Sequence, residues 1–169
     1  MTDARTASSP GAGEAEPGTL RQRACAGYRW LLIVFLVAGA VQIFLAGLGV
    51  FHLHAYGLDA AAGDSALTPH RTLGFAMGGI AILILVLALL ARAGRQAITL
   101  AVVLVVATSF VQSLLAGLAD NHAVYGGLHA LDGLLIIAIA GYLLYRARAT
   151  RDDGQRREGL PDREAQETR

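Results

Sequence analysis

The chain has 169 residues, enough for one domain. Apolar residues make up 54% and charged ones 16%, against about 25% in an average soluble protein. The formal net charge is +1 and every basic residue is Arg, which removes the basic excess that a nucleic-acid binder needs. Between Tyr28 and Tyr145 the charged residues are Arg29, Asp59, Asp64, Arg71, Arg92, Arg95, Asp120 and Asp132. That is too sparse to keep a soluble surface wet, so the composition predicts an all-α integral membrane protein.

Residues 1–27 are rich in Ala, Gly, Ser, Pro and Glu and are expected to form a disordered tail. Cys25 is the lone cysteine, so no intrachain disulfide can form, and it reads as an inert juxtamembrane thiol. Four apolar segments follow, at about 28–50, 70–91, 97–118 and 123–145. Each is about twenty residues, which at about 1.5 Å per residue crosses a hydrocarbon core of about 30 Å. In lipid the backbone must satisfy itself, so these segments are helices. Together they define a transmembrane domain over 28–146. Residues 147–169 are mostly charged or polar and are expected to be a second disordered tail.

Arginine placement predicts orientation. Arg5, Arg21, Arg23 and Arg29 lie before or at the start of the first segment, Arg92 and Arg95 lie between the second and third, and Arg146 and Arg148 follow the fourth. Arg71 alone falls on the other side. The positive-inside rule then puts both termini in the cytoplasm of a bacterial cell with a multi-pass protein in its plasma membrane.

The segments repeat. Val41-Gln42-Ile43-Phe44-Leu45-Ala46-Gly47-Leu48 matches Val111-Gln112-Ser113-Leu114-Leu115-Ala116-Gly117-Leu118 at six of eight positions. His70-Arg71-Thr72-Leu73-Gly74 is echoed by His129-Ala130-Leu131-Asp132-Gly133. The unit is a helical hairpin used twice, with Gln on the odd helix and His on the even one. The expected fold is a four-helix bundle of two tandem parallel hairpins, related by a pseudo-two-fold axis along the membrane normal. That symmetry brings His70 and His129 face to face. Counting to the nearest Arg tempers the symmetry: His129 lies about 7 Å nearer to Arg146 than His70 does to Arg92.

Ionisable residues inside a membrane mark function. Two converging imidazoles suit the two axial ligands of a haem iron, and a four-helix bundle is a natural sleeve for it. Gly74 and Gly133, one turn along from each His, remove a Cβ and let a flat macrocycle approach. Gln42 and Gln112 are costly in hydrocarbon unless bonded. They are read either as donors to a haem edge or ligand imidazole, or as interhelical hydrogen bonds. Arg71 pairs with a haem propionate or reaches lipid headgroups. Asp132 orients an imidazole, pairs with Arg71 or sits protonated. His52, His54 and His122 read as solvated loop histidines.

On these residues the chain resembles one four-helix half of the haem A synthase family. It is also similar to a family of small, uncharacterised four-helix bacterial membrane proteins. The Gln-x-x-x-Ala-Gly runs at Gln42–Gly47 and Gln112–Gly117, the His70-Arg71 pair and His129 carry the likeness. The resemblance implies one bis-His haem b per chain near the extracytoplasmic face, serving electron exchange or haem handling with a quinone or an outer-face redox protein. It is compatible with a homo-oligomer. Haem A synthases are twice this size, and many carry an outer-loop Glu before the second-helix His. No Glu occurs here between Glu16 and Glu158, so enzymatic turnover stays open. The alternative is a cofactor-free accessory subunit whose small-residue faces serve helix contacts.

Overall fold

The computed structural model describes residues 17–56 and 60–158, with side chains for 18–56 and 65–150. All regular structure in this region is helical. We label the helices α1 (Pro17–Tyr56), α2 (Ala60–Leu90), α3 (Arg95–Ala119) and α4 (Ala123–Glu158). A π-helical turn, Ala107–Val111, interrupts α3. Each of the four helices is long and apolar enough to cross a membrane.

The helices outrun the predicted segments. Residues 17–27 and 147–158, expected to lack structure, are helical. Pro17 sits in the first turn, where its missing N–H costs nothing. Ala, Leu and Arg beyond it are good helix formers. The remaining tail residues, 1–16 and 159–169, lie outside the described residues. At the opposite end α1 carries past Val50 to Tyr56, and α2 begins upstream of His70 with Pro69 inside it. That proline breaks the hydrogen-bond ladder one residue before the histidine.

The bundle is a ring. α1 packs on α2 and α4, and α3 packs on α2 and α4, so α2 and α4 stand across a diagonal. The core lies toward the Arg-rich end. Leu32 and Phe35 of α1, Ile84 of α2, Leu104 of α3 and Leu143 of α4 are its largest fully buried side chains. Beyond Gln42, His70, Gln112 and His129, toward the α1–α2 and α3–α4 loops, Gly49 is the sole buried residue among those described. The bundle is therefore packed tightly at one end and loosely at the other. Its outer surface is apolar, with Trp30, Phe44, Phe51, Phe75 and Phe110 well exposed.

The turn from α2 to α3 is short and tightly bonded. The Arg92 N–H donates to the Leu89 carbonyl at 3.0 Å and the Ala93 N–H to the Ala88 carbonyl at 3.0 Å. This pair of bonds is a Schellman motif, which places Arg92 at the left-handed position with φ 53°. Glycine usually holds that position. An L side chain there costs roughly 1 kcal/mol. Close by, the Arg146 guanidinium donates to Gln96 Oε1 at 3.0 Å and to the Tyr142 hydroxyl at 3.2 Å, tying α4 to α3.

Candidate functional site: two Gln–His clasps

Gln42 and His70 hold each other reciprocally. The Gln42 side-chain amide donates to the His70 carbonyl at 2.8 Å. The His70 Nδ1 pairs with the Gln42 carbonyl at 3.2 Å. The same two bonds recur between Gln112 and His129. The Gln112 amide donates to the His129 carbonyl at 3.0 Å, and His129 Nδ1 pairs with the Gln112 carbonyl at 3.1 Å. Each clasp thus joins the side chain of one helix to the backbone of the next, in both directions.

The partners decide the tautomers. A backbone carbonyl only accepts, so each Nδ1 carries the proton. Each Nε2 is then left with its lone pair outward, the state of a metal-ligating imidazole. The His70 and His129 rings stand with centroids 6.1 Å apart and planes tilted by 60°. The unequal counts from His70 to Arg92 and from His129 to Arg146 do not separate them.

The two clasps differ in detail. The Gln42 Nε2 also lies 3.4 Å from His70 Nε2, so its second hydrogen reaches that lone pair. Gln42 Oε1 is buried with no hydrogen-bond partner. On the other side Asp132 stands where the first motif has Leu73. Its carboxyl lies against the Gln112 side chain and within electrostatic reach of His129. Its Oδ2 has no hydrogen-bond partner.

Register explains how each Gln reaches its His. In α1, Gln42 follows the buried Phe35 by seven residues, which at about 100° per residue returns to nearly the same face. In α3, Gln112 follows the buried Leu104 by eight. In an unbroken α-helix that would carry it roughly 80° off the face. The π turn at Ala107–Val111 takes up the extra residue and brings Gln112 back. The Ser113 hydroxyl, just past this turn, donates back to the Ser109 carbonyl within it at 3.1 Å.

The glycines act on the clasps. A Cβ at Gly74 would come 3.2 Å from Gln42 Nε2, and one at Gly133 would come 3.5 Å from Gln112 Nε2. The bare backbone of Gly74 therefore makes room for the Gln42 amide, while at Gly133 the gap to Gln112 is ordinary contact. Arg71 is exposed. His52 lies against Tyr56 and His122 near Tyr125 in tilted ring contacts, with centroids 4.7 and 6.2 Å apart. No group of three or more His, Cys, Asp or Glu side chains gathers into a metal site among the described residues.

Comparison with protein-family models, curated proteins and solved structures finds no match to this chain.

Proposed function

We propose that the chain spans a bacterial plasma membrane four times, with both termini cytoplasmic, as two tandem parallel hairpins. On this reading it is a b-type haem protein in which His70 and His129 would hold the iron near the extracytoplasmic face. The carrying observation is the pair of imidazoles 6.1 Å apart, each with Nδ1 bonded to a backbone carbonyl and Nε2 left as the ligating atom. Two metal–imidazole bonds of about 2 Å set end to end, with each ring centre about 1 Å behind its nitrogen, span about 6 Å. That separation, matched by the 6.1 Å between the ring centroids, supports an iron held between the two imidazoles. The chain resembles one half of a haem A synthase in these same residues.

Each residue has a stated task. His70 and His129 ligate. The carbonyls of Gln42 and Gln112 hold the ring protons and raise the basicity of the ligating nitrogens. The Gln42 amide donates to the His70 carbonyl at 2.8 Å and lies 3.4 Å from His70 Nε2, a contact that a bound iron would replace. Arg71 would pair with a propionate carboxylate. The haem supplies one-electron chemistry, exchanged with a quinone or an outer-face redox protein, or is itself the cargo.

One observation favours a cofactor-free reading. Gly74 and Gly133 abut the Gln amides, so the whole motif has a use as glue between helices. The chain would then be an accessory subunit of a larger membrane assembly. Purification from haem-replete cells with a pyridine haemochrome assay separates the two. The haem reading expects one haem b per chain with a low-spin Soret band. A colourless protein that folds and assembles normally sinks it.

A further inference from the structure

The Arg-rich end of the bundle holds a cavity of about 440 Å³, far from the two histidines. Four arginines line it: Arg21 and Arg29 of α1, Arg92 of the α2–α3 turn and Arg146 of α4. No Asp or Glu is among the lining residues. Like charges crowded round one space repel unless an anion joins them.

Two further observations point to a ligand. Tyr28 lines the same cavity and is 4% exposed, yet its hydroxyl is buried with no hydrogen-bond partner. Buried hydroxyls are normally bonded. Arg92 occupies a left-handed cap position at φ 53°, where glycine is the easier residue. The fold thus tolerates backbone strain at a place where the side chain it keeps is a guanidinium. Meanwhile the Arg21 Nε donates to the Ala91 carbonyl at 3.3 Å, which fixes that side chain against the end of α2.

We propose that this cavity binds the phosphate of an anionic phospholipid, taken from the leaflet at the Arg-rich end. Guanidinium forks match phosphate oxygens, and the Tyr28 hydroxyl donates a further bond. Basic pockets between transmembrane helices take such headgroups. A soluble phosphate offers the same chemistry, but the lipid is held next to the opening by its own tails. The inference rests on the chain spanning a membrane and is independent of the haem.

The test is native mass spectrometry of the full chain in detergent, titrated with phosphatidylglycerol, phosphatidylcholine or inorganic phosphate. Wild type should bind phosphatidylglycerol in preference to phosphatidylcholine. Arg92→Gly and Arg29→Gln should each weaken phosphatidylglycerol binding about fivefold. Arg92→Gly suits the backbone better than the native residue, so misfolding cannot account for its loss. Tyr28→Phe should weaken phosphatidylglycerol and leave phosphatidylcholine unchanged. Arg148→Gln, at the same end but outside the cavity, should have no effect. An equal loss in Arg148→Gln would mean diffuse surface charge and overturn the site. Full retention in Arg92→Gly would overturn it too. Binding of inorganic phosphate alone, with displacement of the lipid, would overturn the lipid as the source.

Discussion

The Gln42 amide nitrogen lies 3.2 Å from where a Cβ on Gly74 would stand, tighter than ordinary van der Waals contact. At Gly133 the matching gap to Gln112 is 3.5 Å, which is ordinary contact. The two sites should therefore answer alanine differently. Gly74→Ala should push the Gln42 amide off the His70 carbonyl and destabilise the fold by about 0.6–1.7 kcal/mol, the range of interhelical hydrogen bonds in a membrane. Gly133→Ala should be neutral or slightly stabilising, since alanine is the better helix former. Unfolding in SDS-containing micelles measures both, and equal losses would contradict the geometry.

The proposed haem sorts the histidines by a testable outcome. His70→Ala and His129→Ala should each abolish or convert a low-spin haem spectrum. Gln42→Leu and Gln112→Leu should keep it at lower occupancy, because the Nδ1 bonds go to main-chain carbonyls that the substitution retains. His52→Ala and His54→Ala should leave it intact. A spectrum that survives in both core variants would rule out the assigned ligands.

Much of this was legible in the sequence because polar letters stand out in apolar runs. Four long apolar stretches named the helices, and Gln42, His70, Gln112 and His129 were visible against Leu and Ala. What they bond to was not. Two of the partners in each clasp are backbone carbonyls, and every residue has one. The π turn was equally hidden, since one extra residue in α3 alters register and not composition. The arginines were read as topology signals. Arg21, Arg92 and Arg146 lie far apart along the chain, and only the ring closure of α1, α2 and α4 puts them round one cavity. The helical ends at 17–27 and 147–158 are hidden for another reason: low hydrophobicity bears on burial and says little of helix propensity.

Arg92 makes a separate prediction about stability. Replacing it by glycine should remove the left-handed penalty at φ 53° and raise unfolding free energy by about 1 kcal/mol. Alanine at the same position should give no such gain. Thermal unfolding of lipid-stripped protein reads the difference, and an alanine variant as stable as the glycine one would show that side-chain charge, not backbone strain, dominates.

Topology is checked by reporters. Fusions in the Arg92–Arg95 turn and after Arg146 should read cytoplasmic, and fusions within 55–66 should read extracytoplasmic. The reverse pattern would move the histidines to the inner half of the membrane and the arginine cavity to the outer leaflet.

Electron transfer across the whole membrane is not expected. All five histidines fall at or beyond the Gln–His layer, and the core between that layer and the Arg-rich end holds none. A hydrocarbon core of about 30 Å leaves a single site without an inner relay. Proteoliposomes with reductant sealed inside should reduce external ferricyanide no faster than empty vesicles.

The π turn at Ala107–Val111 gives the third helix one residue of slack. Deleting a single codon within it would let the helix close to an ordinary ladder while Gln112 kept its place opposite His129. The first helix has no such slack. The same deletion between Ala38 and Val41 would swing Gln42 by roughly 100° and part it from His70. The second copy of the clasp can therefore lose one residue of chain and keep its pairing, and the first cannot.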